Sequence, residues 1–216
     1  MQKSAAFFDV DETLITIKSM FDFYDFWCRE NNDHEKLDRY MTHFRAEVNK
    51  GTSREQLNEE YYRQFAGIRY KKLEEAGEKW FSTKLYSSFF IDSAVAFLKK
   101  HQADNTPAVF VSGSMRPVLA PIAKYLGVKD ILCAPLEITD EGILTGEIGI
   151  PQTIGSGKME ALIQFCSQMR ISPNDCYAYG DDLSDIPMLE SVGYPVCVGK
   201  STALARHAKE KCWPVI

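Results

Sequence analysis

The sequence predicts an α/β protein: a parallel sheet core with a small all-helical cap inserted after the first strand. Three observations carry that reading. Short apolar runs ending in Gly, Asp or Ser recur as "SAAFFDV", "PAVFVSG", "DILCAPL", "CYAYGDD" and "YPVCVG". Such runs mark strands buried on both faces. Helical patterns lie between most of them, which is the alternation of an α/β core. Residues 16–88 differ: helical patterns follow one another there with no strand signal. The expected division is an α/β core of residues 1–15 and 89–216, and a helical cap of residues 16–88.

The first strand ends in Asp9-Val10-Asp11. In the cap, "SMFDFYDFWCRE" is amphipathic and rich in aromatics. "KLDRYMTHFRAEV" places Leu37, Tyr40, Met41, Phe44 and Val48 at helical spacing. "SREQLNEEYYRQF" opens with a Ser53/Gln56 capping box. "YKKLEEAGEKWFSTKL" continues with Leu73, Ala76, Trp80 and Phe81. These aromatic stripes read as the cap's own core. Back in the sheet domain, "RPVLAPIAKYLG" has Pro117 near its start and Gly127 at its end, the usual helix punctuation. "LEITDEGILTGEI" alternates around a turn and reads as a β-hairpin. "SGKMEALIQFCSQM" carries Met159, Leu162, Ile163 and Cys166 on one stripe, and two shorter helices follow in "SDIPMLESVG" and "STALARHAKE".

Composition narrows the function classes. The chain has 216 residues, 45% of them hydrophobic, enough for a core held without disulfide or structural metal. A formal net charge of -5 and the lack of a Lys/Arg run argue against nucleic acid as partner. Six cysteines lie scattered without a CxxC pair, several inside apolar runs, and read as free thiols of a reducing compartment. No basic segment precedes an apolar stretch at the N-terminus, and no apolar run approaches the roughly 20 residues of a membrane span. The expectation is a cytoplasmic protein with a small-molecule partner, and neither membrane nor nucleic acid.

Four clusters could carry chemistry. Asp9 and Asp11 end a buried strand at the carboxyl edge of the sheet, where open α/β folds bind ligands. Two such charges need an offset, from a cation or a proton. Asp181, Asp182 and Asp185 in "YGDDLSD" follow a second strand, with Ser184 and Asp185 opening a short helix. A hard divalent ion such as Mg²⁺ suits an oxygen-rich set of this kind, although acids at a helix start have a plainer explanation in the helix dipole. Ser112 closes the strand "VFVSG", and its hydroxyl with Gly113 and free backbone N–H groups suits a phosphate oxygen. Lys158 stands at a helix start in "GSGKMEAL". That stretch is not a phosphate-binding Walker loop, because Gln152 replaces the first Gly and Met159 the Ser/Thr.

In chain order, these clusters resemble the haloacid dehalogenase superfamily: "DVDET" as motif one, "VFVSGS" as motif two, Lys158 as motif three and "GDDLSD" as motif four. The "SG" of motif two and the tail from "YGDDLSD" onward look like the phosphoserine-phosphatase-like subgroup, subfamily IB. The position of the helical insertion resembles that subgroup's cap. The resemblance implies a Rossmann-like sheet and a Mg²⁺-dependent phosphomonoesterase working through an aspartyl-phosphate. By it, Asp9 is the nucleophile and Asp11 the acid and base. Mg²⁺ is held by Asp9, the Asp11 carbonyl and Asp181. Ser112, Gly113 and Lys158 bind the phosphoryl group, and Asp185 orients Lys158 or a metal-bound water.

Two departures argue against phosphoserine as substrate. Those enzymes carry a Glu nine residues past the nucleophile, where this chain has Lys18. Asp182 replaces a small residue and Ser184 an Asn. Lys18 and Ser184 are thus candidate specificity positions, with Lys18 suited to a second anion. Arg45, Arg54, Arg63 and Arg69 are further cap cations, and the segment Phe21 to Trp27 could wall the substrate chamber. Two alternatives use similar parts. A phosphotransferase would pass the same aspartyl-phosphate to another acceptor. A receiver-like signalling module has the acid pair, Ser/Thr and Lys, but in a different chain order.

Overall fold

The computed structural model describes residues 4–85 and 88–216. Its centre is a five-stranded parallel sheet in the order β3-β2-β1-β6-β7. β1 (Ala6–Phe8) is the middle strand and pairs with β2 (Ala108–Met115) on one side and β6 (Tyr177–Gly180) on the other. β3 (Asp130–Ala134) and β7 (Tyr194–Cys197) lie outside these.

Alternation along the strands builds two apolar layers. Ala6, Phe8, Phe110 and Tyr179 belong to one core, while Phe7, Val109, Val111 and Ala178 belong to the other. This period of two is the pleat of a strand covered on both faces. Phe8 stacks on Tyr179 across the sheet, with ring centroids 4.3 Å apart.

Between β1 and β2 the chain forms α1 (Ser19–Glu30), α2 (His34–Lys50), α3 (Arg54–Arg63), α4 (Tyr70–Ser82) and α5 (Asp92–Ala103). Their boundaries follow local chemistry. Gly51 ends α2 in the left-handed conformation, and the Ser53 side chain accepts from the Gln56 N–H to start α3. The aromatic stripes pack on one another as Tyr24, Tyr40, Tyr61 and Phe65. α4 lies against α6 (Arg116–Leu126) so closely that a Cβ at Gly77 would sit 1.9 Å from the Pro117 carbonyl oxygen.

The hairpin forms as β4 (Leu136–Ile138) and β5 (Leu144–Ile148). It is hydrogen-bonded to the segment between α3 and α4: Gly67 N–H donates to the Leu144 carbonyl, and Leu144 N–H to the Ile68 carbonyl. A piece of chain that lies beyond β3 in sequence thus joins the helical insertion in space. α7 (Ser156–Met169), α8 (Ile186–Glu190) and α9 (Ala203–Glu210) complete the core. Cys28, Cys166, Cys176 and Cys197 are buried, but Cys212 is exposed. Among the described residues, no helix is long and apolar enough to cross a membrane.

Candidate active site

The site lies at the carboxyl end of the sheet. Just past β1, Asp9 N–H still donates to the Tyr179 carbonyl at 2.9 Å, so the nucleophile candidate is anchored by the central ladder. The chain then folds back sharply: the Val10 carbonyl accepts from both Leu14 and Ile15 N–H groups. Glu12 takes φ 59 to make this turn, a left-handed conformation that costs a non-glycine residue about 1 kcal/mol or more.

Lys158 connects the parts. Its Nζ lies 2.6 Å from Asp9 Oδ1 and 2.6 Å from Asp185 Oδ1, with the lysine 5% exposed. Burial works against its charge, but Asp185 and Asp9 hold it protonated above the ordinary lysine value. Its placement depends on Gly157, whose backbone meets Gln152 so tightly that a Cβ would fall 1.5 Å from the Gln152 carbonyl oxygen.

β6 delivers the second acid cluster. Asp182 and Asp185 form a reciprocal capping box around the 3₁₀ turn Leu183–Asp185. Asp185 Oδ2 accepts from the N–H groups of Asp181 and Asp182 at 3.2 and 3.1 Å. A Cβ at Gly180 would stand 2.6 Å from that same oxygen, so only glycine fits there. Asp181 Oδ1 accepts a 2.8 Å hydrogen bond from Thr13 Oγ1.

Oxygen atoms of Asp9, Asp181 and Asp185 lie within 4.8 Å of one another. Both Asp185 oxygens are firmly engaged, one by Lys158 and one by two backbone N–H groups, whereas Asp9 Oδ2 has, among the described residues, only Thr13 Oγ1 at 3.4 Å, whose single proton Asp181 Oδ1 takes at 2.8 Å. Burial pushes the Asp9 carboxyl well above its usual range; Lys158 opposes this, and Asp185, Asp181 and Asp11 add to it. Burial also raises Asp181 to about 6 against the pull of Thr13. A divalent cation is the natural relief for such crowding, and an all-oxygen donor set fits a hard one such as Mg²⁺. Asp11 is raised to about 6 by burial, with Ser19 opposing. Its Oδ1 is buried and has no hydrogen-bond partner among the described residues.

Ser112 does not end its strand, as the sequence suggested. β2 runs on to Met115, and its register to β3 shifts between Ser112 and Met115. The Ser112 hydroxyl accepts from Ser114 N–H at 3.1 Å, which leaves its own proton free to donate. The Gly113 carbonyl is taken by the Tyr62 hydroxyl at 2.7 Å, so the cap helix α3 fixes this peptide.

A cavity of about 480 Å³ opens above these groups, floored by Asp9, Ser112 and Lys158 and walled by the cap. Of Arg45, Arg54, Arg63 and Arg69, Arg54 lines it. Its Nη1 pairs with Asp182 Oδ1 at 2.6 Å and donates to the Ser184 hydroxyl at 2.8 Å. Burial raises Asp182, but Arg54 and the Ser184 N–H outweigh it and bring the carboxyl down to about 2. Arg63 pairs instead with Glu147 and Glu59, Arg69 reaches the Glu141 carbonyl, and Arg45 lines a separate surface depression. Lys18 lines the cavity but stands 3.2 Å from Glu12, so its charge is matched within the protein. Within the aromatic segment, Phe21 faces the cavity, while Phe23, Tyr24 and Trp27 are buried in the cap core.

Sequence reasoning missed Thr13, Gly180, Tyr40 and Asn58 as parts of this site. Asn58 had a signal: it is a polar residue on the buried stripe Leu57, Asn58, Tyr61, Tyr62 of α3. The other three carried none beyond their position near a motif or in a helix.

Comparison with known proteins agrees with the geometry. The model of the haloacid dehalogenase-like hydrolase family matches residues 6–190. A probable phosphatase of Mycobacterium tuberculosis is 24% identical over 238 residues, spanning 99% of this chain and 75% of its own. The crystal structure of a protein of unknown function from Bordetella pertussis Tohama I superposes with a TM-score of 0.89 at 26% identity, over 100% of this chain and 99% of that one. A substrate-bound phosphoserine phosphatase shares the fold, with a TM-score of 0.66 at 21% identity over 100% and 93% of the two chains.

Proposed function

The chain belongs to the haloacid dehalogenase-like hydrolase family, and we propose that it is a Mg²⁺-dependent phosphomonoesterase that hydrolyses a small phosphorylated metabolite through an aspartyl-phosphate. One observation carries the reading most directly. Asp9 follows the central strand with its carboxylate held by Lys158, beside Asp181, at the floor of a cavity of about 480 Å³.

In this reading Asp9 attacks phosphorus and forms a carboxyl–phosphoryl bond as the alkoxide leaves. Asp11 donates a proton to that leaving oxygen, then takes one from the water that hydrolyses the intermediate. Burial has moved Asp11 to about 6, close enough to neutrality for both states to be accessible. Lys158 and the free Ser112 proton bind phosphoryl oxygens and stabilise the charge that gathers on them. Asp185 acts through Lys158, holding its ammonium toward Asp9. Asp9, Asp181 and the Asp11 carbonyl would hold Mg²⁺, which when bound lowers the repulsion between nucleophile and phosphate. The Arg54–Asp182 pair joins the cap to the core at the edge of the chamber.

Phosphate release from an aryl phosphate, measured with and without EDTA, tests the proposal. Activity should require the metal and vanish in Asp9→Asn. Full activity of that variant would overturn the mechanism.

A further inference from the structure

Two polar side chains of the cap line the cavity without a protein partner. Asn58 is 3% exposed and Tyr40 is 5% exposed. Among the described residues, neither amide atom of Asn58 nor the Tyr40 hydroxyl makes a hydrogen bond. Native proteins leave few buried polar groups unpaired, because each keeps its desolvation cost and gains nothing in return. The neighbours on α3 show the contrast. One turn further along the same face, the Tyr61 hydroxyl donates to the Met20 carbonyl at 2.9 Å and the Tyr62 hydroxyl to Gly113.

The surroundings define what could meet these groups. Phe21, Phe44, Val48 and Leu57 give the chamber apolar walls. The charged residues on its rim are already matched, Lys18 by Glu12 and Arg54 by Asp182. Burial pushes the Tyr40 phenol up, so it stays protonated and neutral. Apart from the Asp11 carboxyl, which the proposed reaction uses, the cavity-lining side chains named above that still seek partners are therefore uncharged. Asn58 offers a donor and an acceptor side by side, and Tyr40 either one.

We propose that Asn58 and Tyr40 are the specificity residues of this site. The substrate they select is a phosphomonoester whose leaving alcohol has an apolar, ring-sized body bearing an uncharged hydrogen-bonding group. The inference rests on the phosphatase reading above and adds the chemistry of the leaving group to it. A plain alkyl or aryl group would leave the buried Asn58 amide unpaired, and such a mismatch discriminates strongly.

The test compares phenyl phosphate with ring-substituted esters that carry a carboxamide or a hydroxymethyl group at the meta or para position. Wild type, Asn58→Leu and Tyr40→Phe are assayed on each ester, so differences in leaving-group acidity cancel between variants. For at least one substituted ester, Asn58→Leu should lower kcat/KM about tenfold more than it does for phenyl phosphate, mainly through KM. Tyr40→Phe should act in the same direction. If neither variant changes the ratio for any ester, the proposal is overturned. A second readout does not depend on turnover. Leu has the branched shape of Asn without its amide, so Asn58→Leu should raise the melting temperature of the substrate-free protein; a lowered value would assign the amide to the fold and reject the proposal. Hydrolysis of no ester by wild type, or full activity of Asp9→Asn, would fail the phosphatase reading instead. The melting comparison would then still decide whether the Asn58 amide is held unpaired at a cost to the fold.

Discussion

Thr13 Oγ1 donates a 2.8 Å hydrogen bond to Asp181 Oδ1 across 168 residues of sequence, tying the turn after β1 to the end of β6. The bond fixes the orientation of the Asp181 carboxylate beside Asp9. Groups that orient a metal ligand typically matter by about 10–100-fold in metal affinity. Thr13→Val should therefore raise the Mg²⁺ concentration for half-maximal activity by about tenfold or more, while Thr13→Ser keeps it near the wild-type value. An unchanged Mg²⁺ dependence in Thr13→Val would show that the bond is incidental.

Lys158 balances two buried carboxylates at once. Removing one partner from a buried ion pair typically costs about 3–5 kcal/mol, because the stranded charge keeps its desolvation penalty. Lys158→Met should lose stability on that scale in urea denaturation at neutral pH, measured without Mg²⁺. The deficit should shrink as the pH falls and the stranded Asp9 carboxyl, already raised by burial, takes up a proton. A variant as stable as wild type at neutral pH would show that the two ion pairs do not hold the fold together.

Gly180 has no room for a methyl group beside Asp185. Gly180→Ala must displace that carboxylate or the strand end, and overpacking of this kind costs about 1–3 kcal/mol. Because Asp185 holds Lys158, the loss should fall on kcat more than on KM. Wild-type kcat in Gly180→Ala would show that Asp185 can move without consequence.

His101 ties stability to pH away from the site. Its ring nitrogen Nε2 is 2.8 Å from the Tyr179 hydroxyl, at the base of the sheet's central stack. Burial lowers its affinity for a proton, with Lys100 adding to this and Asp104 opposing. The unfolded chain therefore takes up the proton first, below the ordinary histidine value of about 6.5. The stability from His101 is full above that value and is lost as the pH falls toward the depressed folded value. His101→Gln should flatten this part of the acid limb in melting curves taken from neutral to mildly acidic pH. Parallel curves for the two proteins would exclude the role.

The local parts of the site were legible before the structure was known. Asp9 and Asp11 stand after an apolar run, Ser112 sits late in another, and Asp181 follows a third. Strand periodicity places all three at one edge of a parallel sheet. Lys158 was visible as a cation at a helix start, its place in the site was supplied only by the family resemblance, and its bond to Asp9, 149 residues away, came from the fold alone. Lys18 shows the opposite case. It drew attention because it replaces the Glu that phosphoserine phosphatases carry there and suited a second anion, yet Glu12, six positions earlier, stands against it because the turn at Glu12 reverses the chain.

By itself, the sequence determined the alternation of strand and helix, the helical segment between β1 and β2, and the order in which the acids, hydroxyl and lysine occur. Those features depend on periodicity and punctuation within a few residues. Only the tertiary structure decided which charges neutralise each other and which polar groups remain unpaired. Arg54 met Asp182, the hairpin joined the cap, and Asn58 was left facing the cavity without a partner. Pairing is settled by distances across the fold, between residues whose separation along the chain carries no information about their separation in space.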